Sequence, residues 1–217
     1  MKLNSEIKDQ DLMSSPTCGK PTVSCSCGQK KYDVIYADPP WDVKKIQRKV
    51  RPNQKQLDYL TMSIEDIKQM PIKDITEDNS VCFIWTTQSY LPKTFEILEA
   101  WGFKYQRTIT WDKMNGLCLF GFHNRTEFLL FGYKGKLQMY PERQAIPTAF
   151  QISSKHSKHS QKPNQIRKAI EVFGEKRLEL FARSREGFFP DYEYNGWDVF
   201  GNEVSNSIKL NTGNNYS

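Results

Sequence analysis

Asp38-Pro39-Pro40-Trp41 is the segment of this sequence whose residue types say most about chemistry. Two consecutive prolines fix φ and remove two backbone donors, which leaves carbonyl oxygens there to accept from something else. The Asp38 carboxylate is a further acceptor, and Trp41 offers a flat aromatic face. An exocyclic amine on a planar ring, such as that of adenine, needs this set. Acceptors orient its hydrogens and sharpen the nitrogen lone pair, and an aromatic face holds the ring. A Pro-rich turn with a packing Trp would use the same four residues, so the tetrapeptide alone leaves both readings open. The residues before it favour the first. Tyr32-Asp33-Val34-Ile35-Tyr36-Ala37 is a short apolar run that breaks at Asp38, as a buried strand ending in a loop does.

Two basic, acid-free stretches flank other candidate residues. Lys44, Lys45, Arg48, Lys49, Arg51 and Lys55 follow Trp41 directly, with no Asp or Glu from 43 through 57. The second stretch runs from 143 through 170 and holds Arg143, Lys155, Lys158, Lys162, Arg167 and Lys168, with His156 and His159 close by. A solvated face is the ordinary reading of a charge run. Placed beside the candidate site, both runs are expected to contact phosphate, with Lys44, Lys45, Arg48, Lys49, Arg51, Lys155, Lys158 and His159 as the residues that touch nucleic acid.

The elements that must position these residues alternate between strand and helix. Ser63 with Asp66 three residues on can cap a short helix, which Pro71 stops. Val81-Cys82-Phe83-Ile84-Trp85 is apolar throughout, as a central strand of a covered sheet should be. Pro92 opens a helix carrying Phe95, Leu98 and Trp101 that ends at Gly102. Strand-like runs follow around Thr108–Trp111 and Glu127–Phe131. Pro163 then starts the clearest helix, with Ile166, Ala169, Ile170 and Phe173 at i, i+3, i+4, i+7 and Gly174 past its end. Leu178-Glu179-Leu180-Phe181 forms another short strand. This alternation implies an α/β three-layer sheet, in which ligands bind beyond the carboxyl ends of the strands. Two such ends lie at Asp38 and Arg183.

The chain has 217 residues, a net charge of +6 and an isoelectric point near 9.0, a balance that suits a polyanionic partner without requiring one. Residues 1–29 read as a polar lead-in, 30–204 as one domain and 205–217 as a flexible tail. No signal peptide or membrane-spanning stretch is visible, so an intracellular location is expected, and no membrane partner. Cys18, Cys25, Cys27, Cys82 and Cys118 are odd in number and irregular in spacing, which argues against a disulfide framework. Zinc usually takes four ligands in paired spacings, so no metal is expected.

YADPPW after YDVI closely resembles the catalytic motif of the MT-A70-like family of S-adenosylmethionine-dependent N6-adenine methyltransferases, of the bacterial and phage DNA adenine methylase type. Six more segments resemble the family's motifs in its order. They are Tyr59-Leu60-Thr61-Met62-Ser63, Phe83-Ile84-Trp85-Thr86-Thr87, Asn124-Arg125-Thr126-Glu127 before FLLFGYKG, Ser160-Gln161-Lys162-Pro163, Glu179-Leu180-Phe181-Ala182-Arg183 and Gly196–Glu203. Ala182 stands where many relatives have Gly. The resemblance implies a Rossmann-like methyltransferase three-layer sandwich in permuted motif order, with the catalytic strand before the cofactor strand.

It also implies roles. Asp38 would receive the adenine amine and lie near the methionine part of S-adenosylmethionine, the implied cofactor. The Pro39 and Pro40 carbonyls would accept from the same amine, and Trp41 would stack on the base or wall its pocket. Lys162 would pair with the cofactor carboxylate, and Phe181, Arg183, Asn202 and Glu203 would complete the cofactor site around the ribose. The implied activity is transfer of a methyl group to the N6 amine of adenine in DNA. RNA adenosine methylation is the alternative, and a catalytically silent partner subunit a third reading. A homodimer or heterodimer is compatible with all three. The intracellular location would be cytoplasm or nucleoid, or the nucleus in a eukaryote.

Overall fold

The computed structural model of the chain describes residues 30–42, 60–137, 145–153, 161–183 and 194–210. Seven strands form one sheet: β1 (Tyr32–Ala37), β2 (Thr76–Thr86), β3 (Lys104–Leu119), β4 (Phe122–Lys134), β5 (Ala149–Gln151), β6 (Arg177–Leu180) and β7 (Trp197–Phe200). Their order is β5-β3-β4-β2-β1-β6-β7. β1 pairs parallel with β2 on one side and β6 on the other, and β7 continues parallel beyond β6. β4 alone runs against its neighbours, β2 and β3, while β5 is parallel to β3. The parallel strands therefore end at one edge of the sheet. The turn joining β3 to β4 projects from that same edge.

Alternation along the central strands sends side chains into two cores. Ile35, Ala37, Cys82 and Ile84 pack with Ile67 of α1 (Ile64–Gln69) and Ile97 and Leu98 of α2 (Leu91–Ala100). Val34, Tyr36, Phe83 and Trp85 pack on the other face with Ile166 and Ile170 of α3 (Asn164–Ile170). Each fully buried Ile, Leu or Phe contributes about 1.5–3 kcal/mol, so the middle of the sheet is its most firmly held part. The loops at its carboxyl edge are anchored to that part. On the second face the Trp85 Nε1–H donates to the buried Tyr36 hydroxyl at 2.7 Å.

Local signals behave as expected at both ends of the early helices. Ser63 Oγ accepts from the Asp66 N–H at 3.1 Å and so caps α1. Gly102, just beyond α2, takes φ of 85°. α3 is shorter than its apolar spacing suggests and continues as a 3-10 turn over Glu171–Phe173. Ala169 faces solvent, so the buried stripe of α3 is Ile166, Arg167 and Ile170.

The largest departure from the sequence reading lies in β3 and β4. The runs around Thr108–Trp111 and Glu127–Phe131 are only the sheet-bound halves of a long hairpin. Its outer part lacks a regular apolar alternation and carries a register irregularity between Asp112 and Leu117. An Arg125–Asp112 ion pair clamps its base, with the Arg125 Nε–H donating to Asp112 Oδ1 at 2.7 Å. Gly116 is required there, because a Cβ would stand 2.2 Å from the Asn124 carbonyl oxygen. β5 and β7 are too short to show a periodicity in sequence.

Candidate active site

Asp38 is the first residue beyond β1, whose last residue, Ala37, pairs with Ile84 of β2 and Leu180 of β6. The next three residues turn tightly. The Pro39 carbonyl accepts from the Trp41 N–H at 2.9 Å and the Pro40 carbonyl from the Met62 N–H at 3.0 Å. These carbonyls are therefore not left free, contrary to the expectation from the prolines alone. Each keeps a second lone pair, and only that one is open to a ligand. Trp41 is 6% exposed and its ring stacks on Tyr90, with centroids 4.9 Å apart and planes 15° from parallel. Of the two roles implied for Trp41, this packing suits a pocket wall rather than an open stacking face. Tyr90 is in turn fixed by its hydroxyl, which donates to the Asp42 carbonyl.

Lys162, which precedes Pro163 and α3, reaches across to the same loop. Its Nζ lies 2.9 Å from each carboxylate oxygen of Asp38 and 3.4 Å from Glu127 Oε2. The lysine side chain is 10% exposed and that of Asp38 20%. Burial pulls the Lys162 ammonium down, but the charges of Asp38 and then Glu127 outweigh it and hold it above its ordinary value. Burial likewise pushes Glu127 up, and the cations of Lys162 and Lys113 bring it below the usual carboxylate range. Lys113 closes the chain of charges, donating to Glu127 Oε1 at 3.1 Å. Lys162 Nζ also stands 5.8 Å from the Trp85 ring centroid. Glu127 belongs to a motif-like segment to which the sequence attached no role, and its place in this network is visible only when β4 is brought beside β2.

The third component comes from the ends of β6 and β7. Phe181 takes φ of 61°, a left-handed conformation costing about 1–2 kcal/mol for a residue with a side chain. Such strain at a strand end beside a candidate site points to a functional constraint. Ala182, the residue that departs from the family's Gly, does not share that conformation. Its N–H donates to the Phe200 carbonyl at 3.0 Å. A Cβ on Gly201 would fall 2.0 Å from the Ala182 carbonyl oxygen, so glycine is what lets the two loops close on each other. Arg183 is near enough that its charge opposes protonation of Lys162. Asn202 is half-buried and Glu203 exposed in the loop after β7.

Parallel pairing of β1, β6 and β7 thus sets Asp38, Phe181, Arg183, Asn202 and Glu203 along one edge, with Lys162 bridging to Asp38. The donor set suits a zwitterionic amino-acid tail joined to a nucleoside. A buried ammonium can pair with a carboxylate, and a carboxylate with an ammonium.

Lys44, Lys45, Arg48, Lys49, Arg51 and Lys55, with Arg143, Lys155, His156, Lys158 and His159, lie outside the described residues. Arg167, in the second basic stretch, does not reach out to phosphate. It is 5% exposed, pairs with Glu179 at 3.3 Å and lies over the rings of Tyr194 and Trp197. Among the described residues, no group of three or more His, Cys, Asp or Glu could hold a metal ion, and no helix is long and apolar enough to cross a membrane.

A mixed seven-stranded sheet with a carboxylate, a buried lysine and a Pro-Pro-Trp loop at its carboxyl edge defines an α/β fold of the methyltransferase kind. The MT-A70 family model matches residues 32–203, and the chain belongs to that family. The membership and fold class read from the seven motifs therefore hold. The type II methyltransferase M.MunI of Mycoplasma sp is 30% identical over 210 residues, covering 85% of this chain and 83% of that protein. The N(6)-adenosine-methyltransferase catalytic subunit METTL3 of Homo sapiens is 27% identical over 184 residues, 80% of this chain but 28% of that protein. The N(6)-adenine-specific methyltransferase METTL4 of Mus musculus is 28% identical over 212 residues, 89% of this chain and 41% of that protein. The chain thus spans most of M.MunI and less than half of METTL3 or METTL4.

Proposed function

We propose that this chain transfers the methyl group of S-adenosylmethionine to the N6 amine of adenine in DNA. The observation that carries this reading is the Asp38 carboxylate, held by Lys162 in a Pro-Pro-Trp loop at the carboxyl edge of an MT-A70 sheet. The extent of the match to the type II methyltransferase M.MunI, most of both chains, supports DNA as the substrate.

S-adenosylmethionine supplies an already activated sulfonium methyl for in-line displacement, so a nucleophilic Ser or Cys is not required. The chain's own residues position and polarise. Lys162 uses up only part of the Asp38 carboxylate, which has further lone pairs to accept the amine N–H. The Pro39 and Pro40 carbonyls offer their second lone pairs to the same amine. Trp41, braced by Tyr90, walls the base, and Lys162 balances the carboxylate at the cofactor's amino-acid end. Phe181, Arg183, Asn202 and Glu203 hold the ribose and nearby groups. The basic runs, Lys44 to Arg51 and Lys155 to His159, engage phosphate and help offset the few kcal/mol of unstacking a duplex base.

RNA is the second reading, favoured by the match to METTL3 across 80% of this chain. Incubation with labelled S-adenosylmethionine and mixed-sequence DNA or RNA oligonucleotides, followed by nucleoside analysis, separates the two. Label in N6-methyldeoxyadenosine is the expected result. Label only in the ribonucleoside would transfer the reading to RNA, and binding without transfer to either would make the chain a silent partner.

A further inference from the structure

The hairpin formed by β3 and β4 does something the fold does not need. Its turn residues, Phe120 and Gly121, both have positive φ, 53° and 81°, the pattern of a tight two-residue hairpin turn. Asn, Asp or Gly normally fills the first of these positions, and a bulky aromatic there costs about 1–2 kcal/mol. Burial returns nothing, since Phe120 is 87% exposed and Phe122 73%. Two bare phenyl rings are thus presented at the tip, one of them against a backbone preference.

The surroundings identify what the rings meet. Phe122, Asn124 and Thr126 alternate along one face of β4 and line a cleft of about 350 Å³ with Phe120, His123 and Gln88. Gln88 donates to Thr126 Oγ1 at 3.3 Å and lies two residues before Tyr90, which stacks on Trp41. Thr126 adjoins Glu127, a member of the Lys162 and Asp38 network. The cleft shares no lining residue with the candidate active site, and Thr126 and Gln88 are its nearest links to it in sequence. The tip stands about 17 Å from Glu127, at roughly 3.4 Å per residue. From 113 through 126 there is no acidic residue, and of the basic ones Lys113 pairs with Glu127 and Arg125 with Asp112 at the inner end of the hairpin. Aromatic faces and amide groups at the outer, acid-free end of the hairpin describe a surface for nucleobases.

We propose that the cleft of Phe120, Phe122, Asn124, Thr126 and Gln88 is a second base-binding subsite. It takes a nucleobase a few nucleotides from the target adenine, stacked on the phenyl rings with Asn124 and Gln88 toward its edge. This rests on the reading of the substrate as nucleic acid.

The test compares the parent with Phe120→Ala/Phe122→Ala and with Phe120→Trp/Phe122→Tyr. Binding to fluorescein-labelled mixed-sequence 20-mers, single strands and duplexes of DNA and RNA, is followed by anisotropy across a salt series. Stacking of one base predicts a loss of about 5- to 150-fold for the alanine variant. The aromatic variant should restore affinity. The salt slope should not change, because no phosphate contact is lost. S-adenosylhomocysteine binding by calorimetry should equal the parent's, showing that the fold is intact. Equal nucleic-acid affinity of parent and alanine variant overturns the subsite and leaves the methyltransferase reading standing. A parent that binds none of the 20-mers overturns both. A dimer at micromolar concentration by sedimentation that the alanine substitutions dissociate, with the affinity loss confined to that change, would assign the tip to a second copy of the chain and also overturn the subsite.

Discussion

Lys162 Nζ lies 2.9 Å from both carboxylate oxygens of Asp38, a residue 124 positions earlier in the chain. With Glu127 on its other side, this one ammonium balances two largely buried carboxylates. Replacing it with an apolar side chain leaves both without a shared cation. Lys162→Met should lose up to about 3 kcal/mol of stability near neutral pH, the scale of a broken buried pair. The deficit should narrow in acid as Glu127 protonates. Affinity for S-adenosylhomocysteine should fall by about ten- to a hundredfold, the value of a lost charge-assisted hydrogen bond. Urea unfolding at two pH values and calorimetry check the two halves.

The same network sets a pH window. The folded Glu127 lies below its ordinary 4.5, so its contribution is present above that value and lost as pH falls through the depressed one. The folded Lys162 lies above 10.5, so its contribution is intact below that value and lost as pH rises past the raised one. Glu127→Gln should therefore be less stable than the parent from about pH 5 to 10, and the gap should close below pH 4. A gap that stays constant down to pH 3 would detach Glu127 from the pair.

Arg183→Ala and Asn202→Ala should each weaken S-adenosylhomocysteine binding more than nucleic-acid binding. Both residues sit in the loops beyond β6 and β7, held together through the close approach of Gly201 to Ala182. Calorimetry and anisotropy on the same preparations give the ratio. Unchanged cofactor-product affinity in both variants would remove these loops from the site.

Neutralising Lys44, Lys45, Arg48 and Lys49 together should lower nucleic-acid affinity and flatten its salt dependence. Each phosphate contact contributes about 0.9 to the log–log slope on duplex DNA and about 0.7 on single strands, so four lost contacts cut it by roughly 3.6 or 2.8 units. Affinity for S-adenosylhomocysteine should hold. A salt slope equal to the parent's would make this run a solvated face or a subunit contact.

The sequence reading succeeded where local chemistry and tertiary demand coincide. YDVIYA breaking at Asp38, the Ser63 cap and the Pro92 helix start all declare themselves within a few residues. So does the motif order, and with it the family. Residues whose role depends on distant strands were harder. Asp38 and Lys162 were named singly, but their contact depends on β1 and the segment before α3 meeting across the sheet. Arg167 looked like one more surface cation until α3 turned it toward Glu179. The free carbonyls expected at Pro39 and Pro40 failed because Trp41 and Met62 supply donors that the prolines themselves lack. The outer hairpin was invisible for a different reason. Its strands leave the sheet, so no buried face imposes alternation on them. The one available signal was Phe-Gly-Phe, an aromatic pair around a turn residue.

The central claim is that Asp38 is the acceptor that receives the adenine amine, and methyl transfer by Asp38→Ala tests it most directly. Removing the Asp38 carboxylate leaves the buried Lys162 with Glu127 as its remaining acidic partner, so the variant should be up to about 3 kcal/mol less stable than the parent and is assayed where its unfolding curve shows it folded. With labelled S-adenosylmethionine and DNA oligonucleotides, the account predicts loss of N6-methyldeoxyadenosine formation by at least about a hundredfold, the scale of removing one preorganised polar group at the reacting centre. Turnover by the folded variant near the parent rate would contradict it.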